Sequence, residues 1–148
     1  LMLTKDGPKV LEYNARFGDP ETQVVLPRLR SDLVDIVEAC IDGKLENIDI
    51  EFEDNAAVCV VLASKGYPVA YEKGFVIEGL DAIDKEEDVY CFHAGTKFKD
   101  GKIVTNGGRV LGISAKAKSI KEAREKAYKS IELIGFKNKY MRTDIADI

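Results

Sequence analysis

Residues 56–63 read AAVCVVLA, an unbroken apolar run at which the pattern of the chain changes from helices to strands. An apolar run of this length without polar alternation is typical of a β-strand that is buried on both faces. After the run, β-branched and aromatic stretches alternate with glycine-containing turns, a pattern that predicts further strands. Before it, apolar residues recur at helical spacing. The sequence therefore predicts helices first and a sheet afterwards.

The β-rich part is expected to end with a helix. A Lys-Asp-Gly-Lys turn at 99–102 predicts a hairpin between two strands, and the charged residues 81–88 predict a loop. Ser119 and Glu122 form a capping box, which predicts the start of a helix that Gly135 should end. The apolar stripe of that helix is Ile120, Ala123, Ala127, Ile131 and Ile134. The predicted strands are 56–63, 75–77, 90–98, 103–105 and 109–115.

Two helices are predicted before the sheet. Asp19 has the character of an N-cap and Pro20 that of a first helical residue, and Pro27 should bend or end this short helix. A second helix is predicted to begin near Ser31 and to end at Gly43, the usual terminal glycine. Its apolar stripe is predicted to be Leu33, Val37, Cys40 and Ile41.

The order of these elements predicts an α+β fold. A β-hairpin and two helices come first, and a small antiparallel β-rich domain with a closing helix follows. Residues 44–54 are acidic and without periodicity, so they are the expected boundary between the two parts. The predicted domains are therefore 1–43 and 44–148.

Composition argues against several functional classes. The 148 residues carry a net charge of −4 without a lysine-arginine cluster, so nothing electrostatic favours nucleic acid as a partner. No apolar run approaches the roughly 18 residues of a membrane span. Cys40, Cys59 and Cys91 are widely spaced in apolar segments, which indicates buried, reduced thiols in a cytoplasmic protein rather than a zinc site.

The run VLEYNARFGDPETQ, residues 10–23, contains the main candidate site. Strands at 1–5 and 9–14 are expected to form a hairpin around Asp6-Gly7. Because alternate residues of a strand share a face, Glu12 and Asn14 should point the same way. A carboxylate and an amide oxygen side by side are ligands that Mg²⁺ accepts when it also holds phosphate. The pattern therefore predicts a phosphoryl-transfer site, although a solvated polar face is the alternative.

Further charged residues follow this pair. On a continuing strand Arg16 would share its face, and a guanidinium suits phosphate or carboxylate. The alternative for Arg16 is a structural ion pair. Asp19 and Glu21 add carboxylates, although Asp19 could equally serve as a plain helix cap. Arg109 follows a glycine pair and could meet a phosphate or simply lie on a turn, and the single histidine, His93, is expected to be structural.

Several motifs together resemble one family. The run LEYNARFGDPETQ resembles the signature of the glycinamide ribonucleotide synthetases, also called phosphoribosylamine–glycine ligases, which are ATP-grasp enzymes. The resemblance continues in order along the chain and covers almost all of it. The other matching motifs are SKGYP at 64–68, FHAGT at 92–96, TNGGRVLGISA at 105–115 and YMRTDIADI at the end.

The resemblance implies a fold and a reaction. Residues 1–43 would be the end of an ATP-grasp core, and 44–148 the C-terminal domain of the enzyme. The family joins glycine to 5-phosphoribosylamine in purine biosynthesis. ATP phosphorylates the glycine carboxylate, and the amine then attacks the glycyl phosphate.

The resemblance also implies roles for single residues. Glu12 and Asn14 would hold Mg²⁺ or Mn²⁺, and Arg16 would lie near the acyl phosphate as a catalytic group. Asp19 and Glu21 would receive the amine of glycine or phosphoribosylamine. Arg109 would contact the phosphate of phosphoribosylamine, as a substrate-binding residue.

Two further expectations concern the whole enzyme. The lysines and adenine pocket of ATP-grasp sites lie upstream of the Glu-x-Asn strand, so the chain is expected to be a portion of a longer enzyme and inactive alone. The alternatives are another ATP-grasp carboxylate-amine ligase and a non-catalytic interaction module that has kept the fold. Other ATP-grasp ligases do not share the GDPETQ and FHAGT motifs, which argues against the first alternative. The presence of Glu12, Asn14 and Arg16 together argues against a non-catalytic module.

Overall fold

A four-stranded antiparallel sheet organises the molecule, which a computed structural model describes for residues 1–147. The strand order is β4-β7-β3-β8, and two separate hairpins flank the sheet. Ile148, the last residue of the predicted second domain and of the YMRTDIADI run, lies outside the described residues. The strands are β1 Met2–Thr4, β2 Gly7–Lys9, β3 Ala56–Ser64, β4 Val89–His93, β5 Thr96–Lys99, β6 Lys102–Thr105, β7 Arg109–Ala117 and β8 Lys139–Tyr140. The α-helices are α1 Thr22–Val25, α2 Leu33–Asp42, α3 Leu80–Ile83 and α4 Ile120–Ile131, with 3₁₀ turns at Leu26–Arg28 and Leu45–Asn47.

The central strand pair is β3 and β7. Their register runs from Ala56 opposite Ala117 to Ala63 opposite Arg109. Consecutive residues of β3 are buried, which confirms the prediction of a strand covered on both faces. Helix α4 covers one face and shares a core with both strands. Its buried contributors are Ala123, Ala127 and Ile131, with Ile134 just beyond.

The other face of β7 packs on residues 22–28. Ser114 is buried and its hydroxyl donates to the carbonyl of Gln23 at 2.7 Å. Lys116 is also buried and its Nζ donates to the carbonyl of Pro27 at 3.2 Å. These bonds attach the short helix α1 and its following turn to the sheet. The α+β prediction is therefore confirmed, with the helical part lying directly on the β-rich part.

The opening hairpin is shorter than predicted. Thr4 pairs with Gly7, so the turn lies at Lys5-Asp6, and β2 ends at Lys9. Residues 10–14 belong to no strand. The predicted strand 9–14 is therefore wrong, because no neighbouring strand among residues 1–147 offers backbone partners there. The segment instead lies on the surface, with almost every side chain exposed.

The first two helices also differ from prediction. Asp19 is not an N-cap, since α1 begins at Thr22 and its N-cap residue is Glu21. Helix α2 is capped by Asp32, whose side chain accepts from the amide of Val34. It ends at Gly43 as predicted, with the glycine in the left-handed region.

The predicted apolar stripe of α2 is correct at Leu33 and wrong at its other three positions. Ala39 is buried and Leu33 and Ile36 are half-buried, three residues apart. Val37, Cys40 and Ile41 lie on the exposed side. Periodicity alone could not choose between the two sides, because apolar residues occur on both. The exposure of Cys40 also corrects the prediction that all three thiols are buried.

The remaining differences concern element ends. The predicted strand 90–98 is interrupted at Ala94-Gly95, where β4 ends and β5 turns away into the hairpin with β6. The predicted loop 81–88 includes helix α3, and the predicted strand 75–77 contributes one isolated bridge between Val76 and Val104. Helix α4 begins at the predicted cap, Ser119, but ends at Ile131 rather than at Gly135. It is the longest helix described and has 12 residues, so none of the helices within residues 1–147 could cross a bilayer.

Candidate functional site

One cavity brings all the predicted site residues together. It has a volume of about 180 Å³ and lies between the loop 12–21 and the start of β7. Arg109 is almost a hundred positions away in sequence, and the packing of α1 against β7 brings it to the loop. The lining residues are Glu12, Asn14, Arg16, Gly18, Asp19, Pro20, Glu21 and Arg109.

Glu12 and Asn14 lie side by side although they belong to no strand. The amide Nδ2 of Asn14 donates to Oε1 of Glu12 at 3.4 Å, and both side chains are exposed. A carboxylate and an amide oxygen suit a hard cation such as Mg²⁺, which takes about six oxygen ligands. Residues 1–147 contain no cluster of three or more histidine, cysteine or acidic side chains that could hold an ion. By itself the pair therefore offers at most two of the oxygen ligands that such an ion takes.

Arg16 presents a charged group to the same cavity. Its Nη1 donates to the carbonyl of Phe17 at 3.2 Å. No carboxylate within residues 1–147 forms an ion pair with Arg16, so the described part of the chain does not support the alternative of a structural ion pair. A guanidinium that is exposed and unpaired in this way can meet an anionic ligand.

Asp19 is held by two side chains from different elements. Gln23 donates from Nε2 to Oδ1 of Asp19 at 2.9 Å. Arg109 lies with Nη2 3.1 Å from Oδ2, and its Nη1 donates to the backbone carbonyl of Asp19 at 3.0 Å. Both carboxylate oxygens and the carbonyl therefore have partners. This arrangement replaces the helix-cap role that the sequence also allowed.

A β-bulge directs Arg109 towards Asp19. Opposite residues of an antiparallel pair share a face, so Ser114 and Gly112 lie on the face of their β3 partners, Cys59 and Val61. Strict alternation would next place Val110 there. The register shifts between Leu62 and Ala63, however, and Arg109 becomes the partner of Ala63. The bulge thus gives Arg109 the face that packs on α1.

Gly18 leaves room for the carboxylate of Glu21. A methyl group on Gly18 would overlap the Glu21 carboxylate, which folds back against the glycine. The carbonyl of Gly18 accepts from the amide of Thr22 at 2.9 Å and from its hydroxyl at 2.7 Å. These bonds fix the loop at the start of α1. Asp19 and Glu21 consequently lie on the same short turn and line the same cavity.

Gln23 is the residue that sequence reasoning missed. It lies four positions after Asp19, the spacing at which side chains on successive turns of a helix meet, and that spacing was the available signal. Its Oε1 is buried and has no hydrogen-bond partner within residues 1–147. His93 lies outside the cavity lining, with Nδ1 3.0 Å from the hydroxyl of Thr96, and its side chain is exposed.

The comparisons with known proteins decide the family. Residues 57–148 match the family model described as phosphoribosylglycinamide synthetase, C domain, and residues 1–22 match the ATP-grasp (A) domain of the same synthetase. The chain belongs to the phosphoribosylglycinamide synthetase family. This assignment confirms the resemblance on which the sequence analysis relied.

Individual members of the synthetase family match almost the whole chain. A phosphoribosylamine–glycine ligase of Caldanaerobacter subterraneus subsp. tengcongensis is 60% identical over 146 residues, which are 99% of this chain and 34% of that ligase. The Rhodopirellula baltica ligase is 52% identical over 99% of this chain and 34% of its own length. The trifunctional purine biosynthetic protein adenosine-3 of Gallus gallus is 54% identical over 98% of this chain and 14% of that protein. The chain therefore spans about a third of the length of the single ligases that it matches.

A solved structure shows the same fold in this family. The crystal structure of phosphoribosylamine–glycine ligase from Thermotoga maritima aligns with a TM-score of 0.73 at 42% identity. The alignment covers 97% of this chain and 35% of that one. The predicted boundary between residues 43 and 44 lies between the two family matches, so it stays a prediction.

Proposed function

We propose that this chain forms part of a ligase that joins glycine to 5-phosphoribosylamine with conversion of ATP to ADP and phosphate. The observation that supports the proposal is the single cavity lined by Glu12, Asn14, Arg16, Asp19, Glu21 and Arg109. Such a reaction requires oxygen ligands for Mg²⁺, a guanidinium that can meet an anion, and carboxylates that can meet an amine. Glu12 with Asn14, Arg16, and Asp19 with Glu21 supply these groups in turn. The ligases that match the chain carry this activity in their names.

Glu12 and Asn14 are proposed as ligands of Mg²⁺ or Mn²⁺. Such an ion, when bound with ATP, neutralises negative charge on the transferring phosphoryl group. The two side chains supply two of its oxygen ligands, and Asn14 would turn its amide oxygen towards the ion.

The other cavity residues are proposed to act on the substrates. The Arg16 guanidinium steadies negative charge on the glycyl phosphate and on the oxyanion that forms when the amine attacks. In that step a carbon–nitrogen bond forms, the carbon–oxygen bond to phosphate breaks so that inorganic phosphate leaves, and the proton lost by the amine passes to solvent. Asp19 and Glu21 attract and orient the amine, because two carboxylates favour a group that carries or gains positive charge.

A chimera tests the proposal directly. This chain would replace the matching third of the Caldanaerobacter subterraneus ligase, and ADP release would be measured with glycine and 5-phosphoribosylamine. We expect turnover that requires both substrates, and no turnover from the 148-residue chain alone. A chimera that folds and binds ATP without turnover would contradict the proposal. Turnover with other carboxylates and not with glycine would instead favour another ATP-grasp ligase.

The metal assignment has its own test in the same chimera. Glu12→Gln should raise the Mg²⁺ concentration needed for half-maximal activity, because a neutral amide attracts the ion less strongly than a carboxylate does. Glu46→Gln is the matched control, since Glu46 is exposed and outside the cavity lining. Equal metal dependence of both variants would refute the role of Glu12.

A further inference from the structure

Arg109 directs two nitrogens of its guanidinium to Asp19, although 41% of its side chain stays exposed. Two of its nitrogens reach Asp19, one at the carboxylate and one at the backbone carbonyl, at 3.1 and 3.0 Å. The third contact to Asp19 comes from Gln23 at 2.9 Å. The side chain of Asp19 nevertheless stays 45% exposed and lines the cavity, so a ligand can still reach it.

We propose that Arg109 and Gln23 are positioning residues that hold the Asp19 carboxylate in the orientation in which it receives the substrate amine. The proposal rests on the role of Asp19 in the proposed function. It assigns Arg109 an action through Asp19, in place of the direct phosphate contact that the sequence allowed as one of two alternatives.

The residues that hold Asp19 belong to regular secondary structure, whereas Asp19 itself belongs to no helix or strand. Arg109 is the first residue of β7, one of the two inner strands of the sheet, and Gln23 belongs to α1. Gln23 is fixed in turn, because its carbonyl accepts from the buried hydroxyl of Ser114 at 2.7 Å. A loop carboxylate attached to a sheet in this way keeps a defined direction, which a loop alone does not ensure.

The amide of Gln23 is oriented for Asp19. Its Nε2 faces the carboxylate, and its Oε1 is consequently buried without a partner within residues 1–147. A buried acceptor without a hydrogen bond is unfavourable. A reversed amide would place its oxygen against the Asp19 carboxylate, where it could not donate a hydrogen bond. The Gln23 amide therefore contributes one hydrogen bond to the carboxylate of Asp19.

A kinetic double-mutant cycle in the chimera tests the proposal. Arg109→Met and Asp19→Asn should each lower kcat/KM by about 10- to 100-fold, since a displaced catalytic contact has an effect of this size. The double variant should be no worse than the poorer single one, within about twofold. Both single variants should raise KM for the same substrate. Arg109→Lys should recover part of the activity, because an ammonium can reach one of the two acceptors.

Other outcomes separate the possibilities. Additive losses, with a KM increase for phosphoribosylamine that only Arg109→Met causes, would overturn the positioning role in favour of direct phosphate binding. Absence of turnover from the unsubstituted chimera would instead overturn the proposed function itself. Arg142→Met is the control, because Arg142 also pairs with a carboxylate, Asp144, but lies outside the cavity lining. A similar kinetic loss in this control would also refute the proposal.

A second cycle uses the 148-residue chain without any activity. Unfolding in urea should show coupling between Arg109→Met and Asp19→Asn of about two- to fivefold in the unfolding equilibrium constant, the range for a partly exposed ion pair. Gln23→Leu should reduce that coupling, because Asp19 then loses its second support. Independent effects of Arg109 and Asp19 on unfolding would contradict the contact on which the proposal depends.

Discussion

Lys116 and Glu53 join the sheet to the segment that precedes it. The Nζ of Lys116 lies 2.8 Å from Oε2 of Glu53, and the lysine side chain is only 8% exposed. The same nitrogen donates to the carbonyl of Pro27, and Arg28 donates to the carbonyl of Glu53 at 3.1 Å. One buried cation therefore connects strand β7, the turn after α1 and the approach to β3.

Replacing this cation should loosen the connection. We expect Lys116→Met to lower the free energy of unfolding by about 1–3 kcal/mol, because two hydrogen bonds from a charged donor are lost, one to the carbonyl of Pro27 and one to the carboxylate of Glu53. Urea denaturation followed by circular dichroism measures the change. The control is Lys129→Met on the exposed side of α4, which should change stability by less than about 0.5 kcal/mol. Equal effects of the two substitutions would contradict the connecting role of Lys116.

The Glu53 carboxyl should make stability depend on acid. Hydrogen bonds from Lys116 and then from Asn55 lower the pKa of Glu53 below its ordinary value of 4.5. A lowered native pKa means that the unfolded chain binds the proton more readily, so Glu53 contributes stability above pH 4.5 and loses it as the pH falls through the native pKa. Unfolding midpoints measured against pH should show that Glu53→Gln is less stable than the parent near neutrality. The difference should shrink in acid, and a constant difference would count against this explanation.

The three thiols should react at very different rates. Burial raises the pKa of Cys91 to about 11, with a smaller contribution from the charge of Asp84. Burial also raises the pKa of Cys59, more than its hydrogen bond with Ser114 lowers it. Because the thiolate is the reactive form, an aromatic disulfide reagent at mildly alkaline pH should modify Cys40 first in the folded protein and all three in denaturant. Cys40→Ser should remove the rapid phase, and a rapid phase that persists would refute the assignment.

Gly18→Ala should disturb the site more than the fold. The new methyl group would displace the Glu21 carboxylate, which is the mobile end of a flexible side chain, so unfolding free energy should change by less than about 1 kcal/mol. In the chimera, KM for the substrate whose amine Glu21 receives should rise by about tenfold. The same glycine substitution in a Glu21→Gln background should have little further effect. A large loss of stability with unchanged KM would place the role of Gly18 in folding instead.

Local patterns identified the elements that a single segment can specify. The apolar run at β3 and the capping box at Ser119 both predicted their elements, because each is an interaction within one segment. The sequence could not predict which side of α2 is buried. Apolar residues occur on both sides of that helix, and only the neighbouring elements decide that Ala39 rather than Ile41 is buried.

The candidate site shows the same division. Glu12 and Asn14 were predicted as neighbours on a strand, and they are neighbours without one, since residues 10–14 have no pairing partner in the described chain. The sequence left two roles open for Asp19, a helix cap and a substrate ligand. It could not choose between them, because the contact of Asp19 with Arg109 joins positions that are distant in the chain. Gln23 was not predicted as a site residue, because its side chain reaches the Asp19 carboxylate only in the folded arrangement of the loop and α1.

The family, the α+β order of elements and the identity of the polar residues near the cavity follow from local motifs, capping boxes and apolar runs, because each of these is a property of a single segment. How those polar residues contact one another depends on the packing of distant segments. The bulge between Leu62 and Ala63 turns Arg109 to the α1 face, and the packing of α1 on β7 brings Asp19 within 3.1 Å of it. A shift of one residue in a strand moves a side chain to the opposite face, so the pairing of the strands, and not the local sequence, decides which face Arg109 takes.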